Sequence, residues 1–296
     1  MLPDAPDLPP EGPFDPALRC CTYHPHLAAH FVGGILRDGT VAGREVVRAR
    51  IAGRAGVTPL GLGPPPSYLA AWQSLRPGSF GHDRELLCPF HQAGRCTVWQ
   101  HRGAPCAAFH CKFDRGALGF GLWNLITIAF NTVERALGAW LLRRQGLDVD
   151  ACDALLHAPA DPALDARAWG GWRGREEEYF LEAAQLIEPL FWTEVVAAGG
   201  RDLSSLADAL RGAVVRFDDL SLPTRVGRGE VLYHLGRPGT VRLQNRSVPL
   251  DLLEVPAEVA DRLARTAEAP LQELGLDDAL ARRLLDWQAL VPTTSG

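Results

Sequence analysis

The sequence predicts a mostly α-helical chain, with an irregular cysteine-rich region ahead of the helices and a small α+β unit behind them. Three observations carry that prediction. Apolar residues recur at three- and four-residue steps from Leu122 to Leu141, six cysteines crowd the chain before residue 112, and VLYHL (231–235) and VRLQN (241–245) alternate in the manner of a hairpin. At 296 residues, 47% hydrophobic and 22% charged, the chain has apolar mass for one large domain or a few small ones, which excludes disorder over most of its length. The formal net charge is −5 and the single lysine is Lys112. No net positive field is present for phosphate neutralisation or attraction to anionic lipid, so neither nucleic acid nor a membrane is an expected partner.

Along the chain, residues 1–16 hold six prolines (Pro3, Pro6, Pro9, Pro10, Pro13 and Pro16) and read as an extended, poorly ordered arm. The opening residues lack a basic segment followed by an apolar one, so a cytoplasmic location is expected. Residues 17–116 read as a cysteine-cluster metal-binding domain. Within it, Ala28 to Ile51 suggests short helices broken by glycines, 56–68 a loop rich in Gly and Pro, and Tyr68 to Leu75 a short helix. From Cys88 to Cys111 there is no apolar period, and an irregular loop needs something other than a core to stabilise it.

Residues 117–218 read as a helical region. Its first helix covers the apolar stretch from Leu118 to Leu142, where Asn124, Asn131, Glu134 and Arg135 would be costly in hydrocarbon, so a buried helix is expected rather than a span. Further helices are expected over 148–157, over 174–198 with a kink at Pro189, and over 203–216 with Asp202 as N-cap. Trp123, Trp140, Trp172 and Trp192 are expected to pack this layer. Residues 219–296 read as a winged-helix-like unit: the hairpin, a third strand near 248–253, a helix opened by Pro256, the short LQELGL and a last helix capped by Asp277. From Pro256 onward four basic residues face seven acidic ones, the wrong sign for reading DNA. A protein or peptide that adds a strand to the hairpin is the better candidate partner.

The cysteines are the informative residues. Their spacing is Cys20-Cys21, then Cys88-x7-Cys96-x9-Cys106-x4-Cys111, with Cys152 apart. In a reducing compartment, clustered thiols bind metal or do redox chemistry more often than they form structural disulfides. Thiolates are soft anionic ligands that can close around Zn2+ or an iron–sulfur cluster. His24, His26, His91, His101 and His110 stand among the cysteines as further donors, and the fork of Arg102 can hydrogen-bond sulfide or carbonyl groups. Cys152, at the start of a helix, reads as a small buried side chain. No P-loop is possible around the only lysine, no Gly-rich turn has a Rossmann context, and no G-x-S-x-G elbow exists.

RCCTYHP (19–25), CPFHQAGRC (88–96) and CTVWQHRGAPCAAFHC (96–111) resemble the YkgJ-like cysteine-cluster family of zinc- or iron-chelating domains, to which flagellin lysine N-methylases are related. The resemblance spans roughly residues 17–115 and rests on CPF, Trp99, His101, Arg102, Cys106, Phe109 and Cys111 in that order. It implies a ligand pool of Cys20, Cys21, Cys88, Cys96, Cys106 and Cys111. The chain departs from the family pattern ahead of the vicinal pair, where Pro16, Ala17 and Leu18 replace a further cysteine, and at Gly103 and Ala107. Six thiols exceed the four that one Zn2+ or one [4Fe–4S] cluster needs, and the lack of a C-x2-C knuckle favours the cluster over zinc. The leading expectation is therefore a metal-binding protein of this kind. Two alternatives accompany it: a protein- or peptide-modifying enzyme, such as a lysine N-methylase-like methyltransferase using the cluster, and a metal carrier or sensor.

Overall fold

A computed structural model describes residues 18, 21–74, 83–108, 114–157, 161–246, 248 and 252–293. The expected Pro-rich arm, Cys20, His82, His110, Cys111 and Lys112 lie outside them. The chain is mostly helical, with small sheets: 59% helix and 14% strand. It divides into two compact units, one of Met1–Ala107 with Phe130–Leu203 and one of Ala108–Ala129 with Ser204–Gly296.

The first unit opens on strand β1 (Leu27–Ala28), which runs into helix α1 (Ala29–Asp38); α2 (Val41–Ala52) follows, capped by the Thr40 hydroxyl accepting from the Gly43 N–H. Strands β2 (Val57–Thr58) and β3 (Gly61–Leu62) complete a three-stranded antiparallel sheet in the order β1-β3-β2. Helix α3 (Pro66–Gln73) has proline in its first turn, where no N–H is missed. The cysteine segment carries little regular structure, as expected from its lack of apolar period. It holds the two-residue strands β4 (His91–Gln92) and β5 (Arg95–Cys96) and the one-turn α4 (Ala104–Ala107).

Four longer helices follow: α5 (Gly116–Arg144), α6 (Val149–His157), α7 (Pro162–Trp169) and α8 (Glu176–Ile187). Within the first unit, α1 and α8 pack tightly through Gly33, where an added Cβ would overlap the Phe180 carbonyl oxygen. Trp169, Tyr179 and Phe180 fill the core with edge-on ring contacts, beside Val32, Ile35, Leu62, Phe90 and Val98.

Several expectations are corrected in this region. The helix expected over 174–198 is two helices, because α8 ends at Ile187 ahead of Pro189 and α9 (Trp192–Asp218) begins after it. Asp202 is no N-cap: it lies inside α9, and the interruption falls at Gly200, whose φ of 61° and ψ of −149° suit only glycine. Trp123 and Trp192 are more exposed than expected, at 37% and 56%, whereas Trp140 and Trp172 lie against the core and the unforeseen Trp169 is wholly buried. Helix α5 is less buried than expected. By length and composition it could cross a membrane, and 22% of its most apolar stretch is covered.

The second unit has two small antiparallel sheets. Strands β7 (Val231–Leu235), β8 (Thr240–Asn245) and β9 (Leu253–Pro256) pair in the order β7-β8-β9, which sets the third strand later than expected. The other sheet places β6 (Arg225–Arg228) between β10 (Glu268–Pro270) and β11 (Leu290–Pro292), none of which the sequence pattern marked. Helices α10 (Ala257–Arg265) and α11 (Asp278–Asp286) close over these sheets, burying Val226, Leu243, Val255, Leu263 and Leu284. Pro256 precedes α10, and the Asp277 carboxylate caps α11 by accepting the Leu280 N–H at 2.7 Å, both as expected. Arg115 forks onto the buried Asp286 at 2.7 and 2.9 Å.

Candidate metal centre

Four of the six cysteines of the ligand pool, Cys21, Cys88, Cys96 and Cys106, lie among the described residues, all in the first unit. Backbone hydrogen bonds bring their segments together. The Cys21 N–H donates to the Leu18 carbonyl at 3.1 Å, and the Cys21 carbonyl accepts the Cys88 N–H at 2.7 Å across 67 residues of chain. From Cys88 the chain turns at once, the His91 N–H donating to the Cys88 carbonyl at 2.8 Å, and enters the β4–β5 hairpin. There His91 pairs with Cys96 across a turn of Ala93 and Gly94, both at positive φ. The hairpin is fastened by Thr97, whose N–H and hydroxyl both donate to the Phe90 carbonyl.

Electrostatics report the same convergence. Burial, helped by negative charge on Cys21 and Cys96, pushes the Cys88 thiol up to about 12 against the opposing pull of the Phe90 backbone N–H and the Arg50 guanidinium. Cys88 thus lies within charge range of two other thiols and one cation. Arg50 is itself buried, its fork donating to the Ala55 and Gly63 carbonyls, and burial brings it down to about 10. Cys106 begins further along, in α4, and raises the Tyr23 phenol through its charge, second to burial.

The neighbouring residues divide clearly. His24 is buried and stacked on Tyr68, with ring centroids 3.9 Å apart; its Nε2–H donates to the Leu87 carbonyl at 3.2 Å, leaving Nδ1 as a buried lone pair with no partner among the described residues. Burial lowers its pKa, so the ring is neutral near pH 7. An imidazole that gives one N–H to a backbone carbonyl and turns its other nitrogen inward is the arrangement metal-binding histidines adopt. His91 also has a buried Nε2 without a partner among the described residues. His101 is engaged elsewhere, with Nε2 2.7 Å from the Asp38 carboxylate. Arg102 holds carbonyls, as one expectation had it: it donates to Trp99 and Cys106 and lies 3.4 Å over the exposed Trp99 ring. Cys152 is fully buried in a separate cluster, its thiol donating to the Ala168 carbonyl at 3.5 Å and pushed up to about 12 by burial.

The donors gathered here are a buried thiol, Cys88, within charge range of Cys21 and Cys96, and two buried imidazole nitrogens with no partner among the described residues. Among the described residues, however, no three His, Cys, Asp or Glu side chains are arranged to hold a metal ion as they stand. Sequence reasoning passed over Arg50 and Tyr68, which frame the site. Tyr68 receives the His24 N–H at 3.2 Å and donates to the Thr22 carbonyl at 3.0 Å, tying the vicinal-cysteine segment to α3. No spacing rule marks either residue, because both act on backbone groups distant in sequence. No family model matches the chain, and no curated protein or solved structure matches it.

Proposed function

We propose that this protein binds a metal through its cysteine cluster, as an iron–sulfur or zinc protein of the YkgJ-like kind, with Cys20, Cys21, Cys88, Cys96, Cys106 and Cys111 as the ligand pool. The observation that carries the reading is the convergence on Cys88 of Cys21, joined to it through the backbone, and Cys96, within charge range of it. A buried thiolate among other thiolates is strongly disfavoured unless a cation compensates it, and a soft metal ion does so with bonds as well as charge. The irregular backbone supports the same reading, since short loops with two-residue strands gain most from a metal that fixes them. Six thiols without a C-x2-C knuckle favour [4Fe–4S] over Zn2+.

The C-terminal unit is read as winged-helix-like, with β7 and β8 as the wing and α10 and α11 as its helices, and a protein or peptide as the class of partner. The experiment for the metal is anaerobic purification followed by an absorption spectrum with iron, zinc and acid-labile sulfide analysis. A broad charge-transfer band with iron and sulfide in equal amounts establishes the cluster. One zinc per chain without colour gives the structural alternative, and absence of any stoichiometric metal defeats the proposal.

A further inference from the structure

The first unit contains a cavity of about 260 Å³ that the cysteine chemistry does not use. Its walls are largely apolar, with Leu60 and Leu156 prominent, and its polar groups are His26, Glu134, Asn131 and Arg135. A small apolar pocket with a few convergent polar groups is the ordinary form of a ligand site.

Each charged or titratable group in the lining has a definite state. Glu134 reaches the cavity from α5 and is held in place by one bond, Oε1 accepting the Ala104 N–H at 2.6 Å, with no cation paired to it among the described residues. Burial pushes its carboxyl up to about 7, against the pull of that N–H, so at neutral pH it is a proton donor about half the time. His26 presents an Nε2 with no partner among the described residues, and burial, then the charge of Arg50, lowers its pKa, so the ring is neutral. Arg135 is exposed and makes no ion pair among the described residues, which places a guanidinium with unused donors where the cavity meets solvent. The lining thus offers one permanent positive charge, a half-protonated acid and a neutral imidazole. That balance suits an anion, and an entering ammonium would meet the like charge of Arg135.

We propose that this cavity binds a small carboxylate with a short apolar tail, the carboxylate bridged between the Arg135 guanidinium and hydrogen bonds from Glu134 and His26, the tail lying against Leu60 and Leu156. Planar guanidinium and carboxylate groups match as two parallel hydrogen bonds, and a protonated Glu134 donates a third. None of the lining residues is a cysteine of the ligand pool, though His26 is one of the histidines near it and Pro105 adjoins Cys106.

The test is calorimetric titration of the full chain with butyrate, and with butylamine as the cationic counterpart, at pH 6 and pH 8. The proposal expects butyrate to bind about tenfold more weakly at pH 8 than at pH 6, because Glu134 must keep its proton, with proton uptake seen as a dependence of the heat on the buffer. Arg135→Ala should weaken butyrate at least tenfold with an unchanged circular dichroism spectrum, this side chain being exposed. Glu134→Gln, which retains a donor, should bind butyrate with the pH dependence flattened. Failure of butyrate to bind at either pH overturns the proposal. So does tighter binding at pH 8, indifference to Arg135→Ala, or preference for butylamine with proton release.

Discussion

Glu134 shows how a single residue carries both stability and chemistry. Its folded pKa is raised from the ordinary carboxylate value to about 7 by burial, so its neutral form favours the fold. That contribution is complete below the ordinary pKa of about 4.5 and is lost as pH rises through about 7. Glu134→Gln has no such loss, and is expected to gain in urea midpoint over the native chain on going from pH 5 to pH 8; an equal difference at both values contradicts the assignment. Tyr68 is a second case. Tyr68→Phe removes the hydroxyl that joins Thr22 to His24, and should lower stability by about 1–2 kcal/mol in denaturant unfolding, since two buried backbone groups lose a partner. Of these residues, the sequence made only the cysteines, the histidines and Arg102 legible, because they fall in a spaced motif. Glu134 was visible as a charge inside an apolar helix but read only as an argument against a membrane span. Arg50 and Tyr68 carried no signal, since their partners are carbonyls and a backbone N–H set by the fold.

At the level of secondary structure, the close approach of α1 to α8 depends on Gly33. Gly33→Ala forces the new methyl into the Phe180 carbonyl, and should destabilise the chain by about 1–3 kcal/mol or more, lowering the thermal midpoint. A wild-type midpoint would mean that the two helices are farther apart. Helix positions were mostly legible: α1 and α2 lie in the stretch read as short helices broken by glycines, α6 lies where a helix over 148–157 was expected, and α11 follows its capping Asp277. The errors fall at interruptions. Pro189 ends one helix instead of kinking it, and Gly200 breaks α9 where Asp202 looked like a cap, because a capping residue and a polar residue on an exposed helical face look alike in sequence. Strands β6, β10 and β11 were missed for a related reason: three or four residues with no alternation give no period to detect, and their pairing is set by residues far apart in the chain.

For the molecule as a whole, the mostly helical character and the position of the hairpin were readable from periodicity, whereas the division into two units was not. Each unit is assembled from two separate stretches of chain, with α5 and α9 each contributing residues to both, and no linker composition marks such a boundary. The proposed ligand pool was legible as a list of residues, and the meeting of two of its segments, 67 residues apart, emerged only from the backbone bond between Cys21 and Cys88. The decisive measurement is the metal content of the anaerobically purified native chain beside Cys88→Ser and Cys152→Ser. The account predicts stoichiometric metal in the native chain, its loss in Cys88→Ser together with a lower thermal midpoint, and its retention in Cys152→Ser, whose thiol is buried in a separate cluster. Equal metal content in all three proteins, or none in any, would contradict it.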